Sequence, residues 1–142
     1  MTDRILLSLD ESAAKGGDAT WVAVDHALDL AARSGGVVHA LYVVDTSRYG
    51  EPALSSGEIL VDEAEDAGHD LLAIVDTRGR ERGVPVRTRR CHGRPNEELP
   101  AYAVDIDADA VVLAGRRRPG RVRRELERVA ESVVAPGTVV RR

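Results

Sequence analysis

One stretch concentrates the chemistry of this chain. Ala110–Val134, AVVLAGRRRPGRVRRELERVAESVV, sets Arg116, Arg117, Arg118, Arg121, Arg123 and Arg124 between a buried apolar run and an amphipathic helix. Glycine-rich loops at such strand–helix junctions hold phosphate through backbone N–H groups, aided by the helix dipole. Here Gly115 and Gly120 stand alone among arginines, whose charges oppose that dipole. A guanidinium can replace a backbone cradle, because it binds phosphate with two parallel hydrogen bonds. The competing reading is a solvated helix face, with Arg121–Glu125 and Arg123–Glu127 as exposed pairs worth about 0.3 to 0.5 kcal/mol each. The second focus is Asp10, closing LLSLD, which could meet a ligand or cap local backbone.

Other chemistries find little support. His26, His39, His69 and His92 lie on different elements without ligand spacing, so no metal site is expected. Cys91 and His92 are strand neighbours that point to opposite faces, and no third group orients them as a nucleophile. Ser8 and Ser12 form no nucleophile elbow, and Asp45 reads as a turn residue. A phosphoacceptor receiver domain would need a lysine after its last strand, whereas the only lysine, Lys15, is in the first loop.

The elements that must position these groups follow from the apolar pattern. Strands are expected at Ile5–Leu9, Val37–Val44, Val84–Arg90, Ala110–Ala114 and Pro136–Val140. Helical stripes run through Trp21, Val24, Leu28 and Ala31, and from about Glu58 through Leu71 and Ile74 to a stop at Gly83. Further stripes are Leu99, Ala103 and Ile106, then Val122, Leu126, Val129 and Val133. Residues 10–17 and 45–57 read as loops, with Asp18 capping the first helix, and Pro100 fits its helix only near the first turn. Strands alternating with helices and no hairpin signal give a single-domain α/β fold, an open parallel sheet with helices on both faces. Proline and arginine in Val84–Arg90 mark it as an edge strand.

Composition agrees with one compact unit. The chain has 142 residues, 43% of them hydrophobic and only 3% aromatic, so Val, Leu, Ile and Ala must build the core. No run is long and apolar enough for a membrane, and a single cysteine suits a reducing, cytoplasmic setting. Residues 1–77 carry net −11 and residues 78–142 net +7. The two halves are expected to neutralise each other within the fold or across a dimer.

LLSLDES, AVDHALDLAARSGG, LYVVD, CHGRPNEEL, DIDADAVVLAG and RVAESVVAPGTVV, in that order, make the chain resemble the universal stress protein (UspA) family throughout residues 1–142. The resemblance implies a five-stranded sheet ordered 3-2-1-4-5 and a ligand crevice at Asp10 and Gly115. It also implies a homodimer through Thr138, Val139 and Val140. Many members bind ATP through glycine, two residues, glycine, nine residues, then glycine with serine or threonine. Here the first position is Gly115, the second falls on Arg118 and the last pair near Glu127 and Arg128. If a nucleotide binds, the resemblance and the arginine loop together nominate Asp10, Val44, Gly115, Arg117, Arg118, Gly120 and Arg121.

The degraded glycine pattern makes a noncatalytic stress-response module with unknown protein partners the leading expectation, with no cofactor. The alternatives are a protein binding ATP or AMP, weak ATP hydrolysis being its only enzymatic form, and an anion or nucleic-acid binder using the arginine cluster. Nucleic acid ranks last, because interleaved aromatics are missing.

Overall fold

A computed structural model describes residues 3–15, 17–46, 55–115 and 117–136 of the chain. Five parallel strands form one sheet ordered β3-β2-β1-β4-β5, with β1 (Arg4–Leu9) at the centre. β2 (Val37–Asp45) and β3 (Val86–Gly93) extend it on one side, β4 (Ala110–Leu113) and β5 (Ser132–Val134) on the other. The helices are α1 (Glu11–Ala14), α2 (Asp18–Ser34), α3 (Ser55–Glu81), α4 (Pro95–Asp105) and α5 (Gly120–Val129).

The period of two in the strands divides the core. Ile5, Leu7, Leu9, Val38, Ala40, Tyr42 and Val44 pack with Val24, Leu28, Leu72 and Val75 of α2 and α3. Leu6, Leu41, Val43, Val111 and Leu113 pack on the opposite face with Leu99, Val122 and Leu126 of α4 and α5. Because β1 is buried on both faces from Ile5 onward, its residues there are apolar without alternation, Ser8 excepted. Gly68 of α3 is required by packing: a Cβ there would lie 2.5 Å from Cδ1 of the Tyr42 ring. Gly35, at φ 70°, ends α2 as expected.

The two charge-biased halves meet inside the fold. Arg82 reaches Asp25 at 2.9 Å and Asp29 at 2.8 Å, and Arg78 reaches Asp25 at 3.2 Å while stacking 4.2 Å from the centre of the Trp21 ring.

Several boundaries differ from those expected. Residues 11–14 form α1 because the Asp10 side chain caps them, and α2 takes Gly17 as its N-cap with Asp18 inside. The predicted loop over 45–57 is shortened, α3 starting at Ser55; residues 47–54 are outside the described set. β3 starts later and runs on through Cys91–Gly93, since Val84 and Pro85 instead form the approach from α3. Pro100 lies in the second turn of α4, where its missing N–H removes one helical hydrogen bond.

The last helix and strand are also corrected. α5 stops at Val129, where Ala130 turns extended at φ −111° and ψ 148°. Val133 is therefore no part of a helical stripe: it pairs with Val111 in β5, a place that suits consecutive β-branched residues. The strand expected at Pro136–Val140 is thus preceded by one at Ser132–Val134. Thr138, Val139 and Val140, the expected dimer contacts, lie outside the described residues. Among the described residues no helix is long and apolar enough to cross a membrane.

Candidate functional site

β1 and β4 run side by side, with Ser8 paired to Leu113, yet the chain leaves them toward opposite faces. Such a divergence opens a crevice at the carboxyl ends of the strands. Asp10 sits there in extended conformation, 7% exposed, and its Oδ1 accepts a 2.9 Å hydrogen bond from the Ala13 N–H. Its Oδ2 accepts from Arg118 Nη2, while Arg118 Nη1 donates to Asn96 Oδ1 at 3.1 Å. The Arg118 and Asp10 side chains are only 5% and 10% exposed, so this ion pair is inside the protein. One arginine thereby joins the loop after β1, the start of α4 and the loop after β4.

Gly115 brings those loops together. At φ 96° it adopts a conformation that L-residues avoid, and a Cβ would collide with Asp10 Oδ1 and stand 2.9 Å from the Ala13 nitrogen. The result is two cavities of very different capacity. The inner one, lined by Asp10, Ser12, Val43, Pro95 and Arg118, has about 20 Å³. That is room for about one water molecule. The outer one, about 430 Å³, is lined by Arg94, Asn96, Glu97, Arg117, Arg118 and Arg121, with Asp45.

The residues singled out in the sequence therefore separate. Asp10, Gly115 and Arg118 converge at the inner crevice, and Arg117, Arg118 and Arg121 at the outer cleft. Gly120 is the first residue of α5. Val44 belongs to the core on the α2–α3 face and lines a different cavity with Glu65, Arg90 and His92; Val43, its neighbour, faces Asp10. Neither Arg121–Glu125 nor Arg123–Glu127 forms an ion pair; Arg123 instead donates to the Val133 carbonyl at 3.3 Å. Asn96 and Arg94 were missed as site residues. Their signal lay in GRPNEEL, where a helix start brings polar groups to the same strand ends.

The other candidate reactive groups lie on β3 and α4. Cys91 packs against the α4 core cluster, and burial, reinforced by Glu98 and opposed by Arg89, pushes its thiol pKa up. His92 turns the other way and pairs with Glu65 of α3. Burial above all raises the Tyr102 hydroxyl pKa, with Arg89 stacked 5.2 Å from the ring centre acting against it. Among the described residues no three His, Cys, Asp or Glu side chains gather as metal ligands.

An open parallel sheet of this order, with polar side chains gathered at its β1/β4 switch point, defines a doubly wound α/β protein. The family model of the "Universal stress protein family" matches residues 1–139, and the chain belongs to that family. It is 32% identical over 120 residues to a universal stress protein of Methanocaldococcus jannaschii, covering 84% of this chain and 71% of that protein. Its structure is similar to that of UspA from Lactobacillus plantarum, with a TM-score of 0.76, 25% identity and coverage of 95% and 97% of the two chains. It shares its fold with the universal stress protein from Archaeoglobus fulgidus described in complex with dAMP, at TM-score 0.58, 18% identity and coverage of 96% and 99%.

Proposed function

We propose that residues 1–142 act in the stress response as a noncatalytic, cytoplasmic, homodimeric module whose nucleotide crevice is filled from within by Arg118. The observation that carries this reading is the buried Arg118–Asp10 pair, which leaves about 20 Å³ at the switch point. An adenine ring needs far more than the space of one water. The guanidinium also stands where the family pattern places a glycine, so backbone access to a phosphate is lost with it.

The Archaeoglobus relative makes adenine nucleotide the ligand to test. The experiment is calorimetric titration with AMP, ATP and inorganic triphosphate, with and without Mg²⁺. AMP should give no saturable heat up to about 1 mM, where binding free energy is only about −4 kcal/mol. ATP should bind no more tightly than triphosphate, because its base finds no pocket. Saturable AMP binding, or ATP about tenfold tighter than triphosphate, would sink the proposal.

The homodimer is assigned to Thr138, Val139 and Val140, as an apolar terminal segment able to pair with its copy. Val139→Glu should convert a dimer into a monomer in sedimentation equilibrium. An unchanged mass would move the interface elsewhere.

A further inference from the structure

We propose that the open edge of β3 is a docking strand: an extended, acidic segment of another protein adds to the sheet there, with a carboxylate on every second residue. Neither the Arg118 crevice nor the arginine loop takes part, and nothing depends on whether nucleotide binds.

The backbone supplies the first support. β3 is the outermost strand on its side of the sheet, paired only with β2 among the described residues. The Val38 N–H donates to the Pro85 carbonyl at 3.0 Å, and Val38 is the register partner of Val86. Alternate residues of a parallel ladder bond to the neighbour, so Val86, Thr88, Arg90 and His92 turn their N–H and C=O groups to the free edge. No described residue bonds to those groups. A row of outward donors and acceptors is what an added strand pairs with.

The side chains decide what kind of strand fits. Arg87, Arg89 and Arg90 are all exposed. Arg87 and Arg89 share the α4 face with Cys91, and neither makes a hydrogen bond or ion pair with any described residue. Arg89 lies 5.2 Å from the centre of the Tyr102 ring, which orients its guanidinium without neutralising it. The pKa of His39, on adjoining β2, is lowered by burial and then by Arg87 and Arg4, the mark of a positive field on this face. The α3 face differs. There Glu65 pairs with His92, and its carbonyl accepts from Arg90 at 3.4 Å, beside a cavity of about 360 Å³ that Val44 also lines. A guest carboxylate is therefore attracted on the α4 face and repelled by Glu65 on the other. Successive side chains of a strand point to opposite faces, so the guest is acidic at alternate positions and uncharged between them.

A second copy of the chain does not fit. Antiparallel pairing of β3 with itself would crowd arginine against arginine, and like charges directly opposite are destabilising. The charges that guard this edge against its own copy favour an acidic strand. The homodimer assigned to Thr138, Val139 and Val140 makes no use of β3.

The probe is an eight-residue capped peptide, matched to the length of β3, in which threonine and glutamate alternate. NMR follows its titration into the isotope-labelled protein. It should bind with a Kd of about 0.1 mM at about 50 mM salt and shift the amide signals of Val86, Thr88, Arg90 and His92. Arg87→Ser/Arg89→Ser should weaken it at least about tenfold. Arg128→Ser, at the far end of α5, should leave the affinity within about twofold. Circular dichroism confirms that each variant is folded. A peptide of the same composition with its threonines and glutamates in two blocks should bind at least about tenfold more weakly. Of two alternating peptides, one N-methylated at every threonine and one at every glutamate, one should lose binding and the other keep it, because only alternate residues of an added strand bond to the edge. No saturable shift up to about 2 mM, equal affinity of the blocked and alternating peptides, or equal affinity of the two N-methylated ones overturns the docking strand. So does tighter binding of an oligothymidylate of the same charge, which would make the arginines a nucleic-acid surface.

Discussion

Two arginines separated by a handful of residues follow opposite rules. Arg118 is buried, its fork divided between Asp10 and Asn96, whereas Arg121 is exposed and has no partner among the described residues. In water a guanidinium loses little by standing alone; out of water it must be paired and hydrogen-bonded. The inner arginine is consequently part of the fold, and the outer ones stand in solvent. What separates them is which end of the loop Gly115 draws against Asp10, not the residue type.

The largest effect should come from breaking the inner pair. Asp10→Ala would strand a buried guanidinium and remove the cap of α1, costing about 3 to 5 kcal/mol in urea unfolding. Arg117→Ala in the outer cleft should change stability by less than about 0.5 kcal/mol. The double variant Asp10→Leu/Arg118→Met sharpens the point, since apolar side chains of similar volume should recover most of the loss. Equal effects of Asp10→Ala and Arg117→Ala would erase the distinction between the two regions.

The two loop glycines offer the next test. Gly115→Ala forces a Cβ into Asp10 Oδ1 at positive φ and should cost about 2 to 3 kcal/mol. Gly120 begins α5, and the nearest atom to an added Cβ is the flexible Arg124 Nη1 at 3.6 Å. Gly120→Ala should be neutral or stabilise by up to about 1 kcal/mol, as alanine does in a helix. Thermal unfolding of both variants decides it; comparable losses would mean that the loop as a whole, rather than the contact with Asp10, is under constraint.

These contrasts also mark what was legible in the sequence. Apolar runs such as Ile5–Leu9, broken only by Ser8, announced central strands, and the arginines of β3 announced an edge, because burial is a local demand on composition. The sheet order came with the family resemblance. The Arg118–Asp10 pair was not legible, since nothing local distinguishes Arg118 from Arg117. Which one turns inward is settled by packing between segments 108 residues apart. The end of α5 was misjudged for the same reason: Val133 continues a helical period, but pairing with Val111 wins it for the sheet.

The smallest effect should appear where burial is partial. His39, on β2, is half-buried with its ring 6.5 Å from that of Tyr102. Its pKa is lowered by burial first and then by the charges of Arg87 and Arg4. The neutral ring is the form the fold prefers, so its contribution to stability is complete above the ordinary value of 6.5 and is lost as pH falls through the lowered folded value. An NMR titration separates the two causes. Raising salt from about 0.1 to 1 M shortens the screening length from about 10 to about 3 Å and should lift the His39 pKa part of the way back. Arg87→Ala should do the same at low salt. The remainder, due to burial, should survive both treatments. The stability difference between wild type and Asp10→Ala should likewise resist salt, because ions reach neither partner of the inner pair. If salt instead shifted the Asp10 effect as readily as the His39 titration, Arg118 would have to be counted with the solvated arginines of the outer cleft.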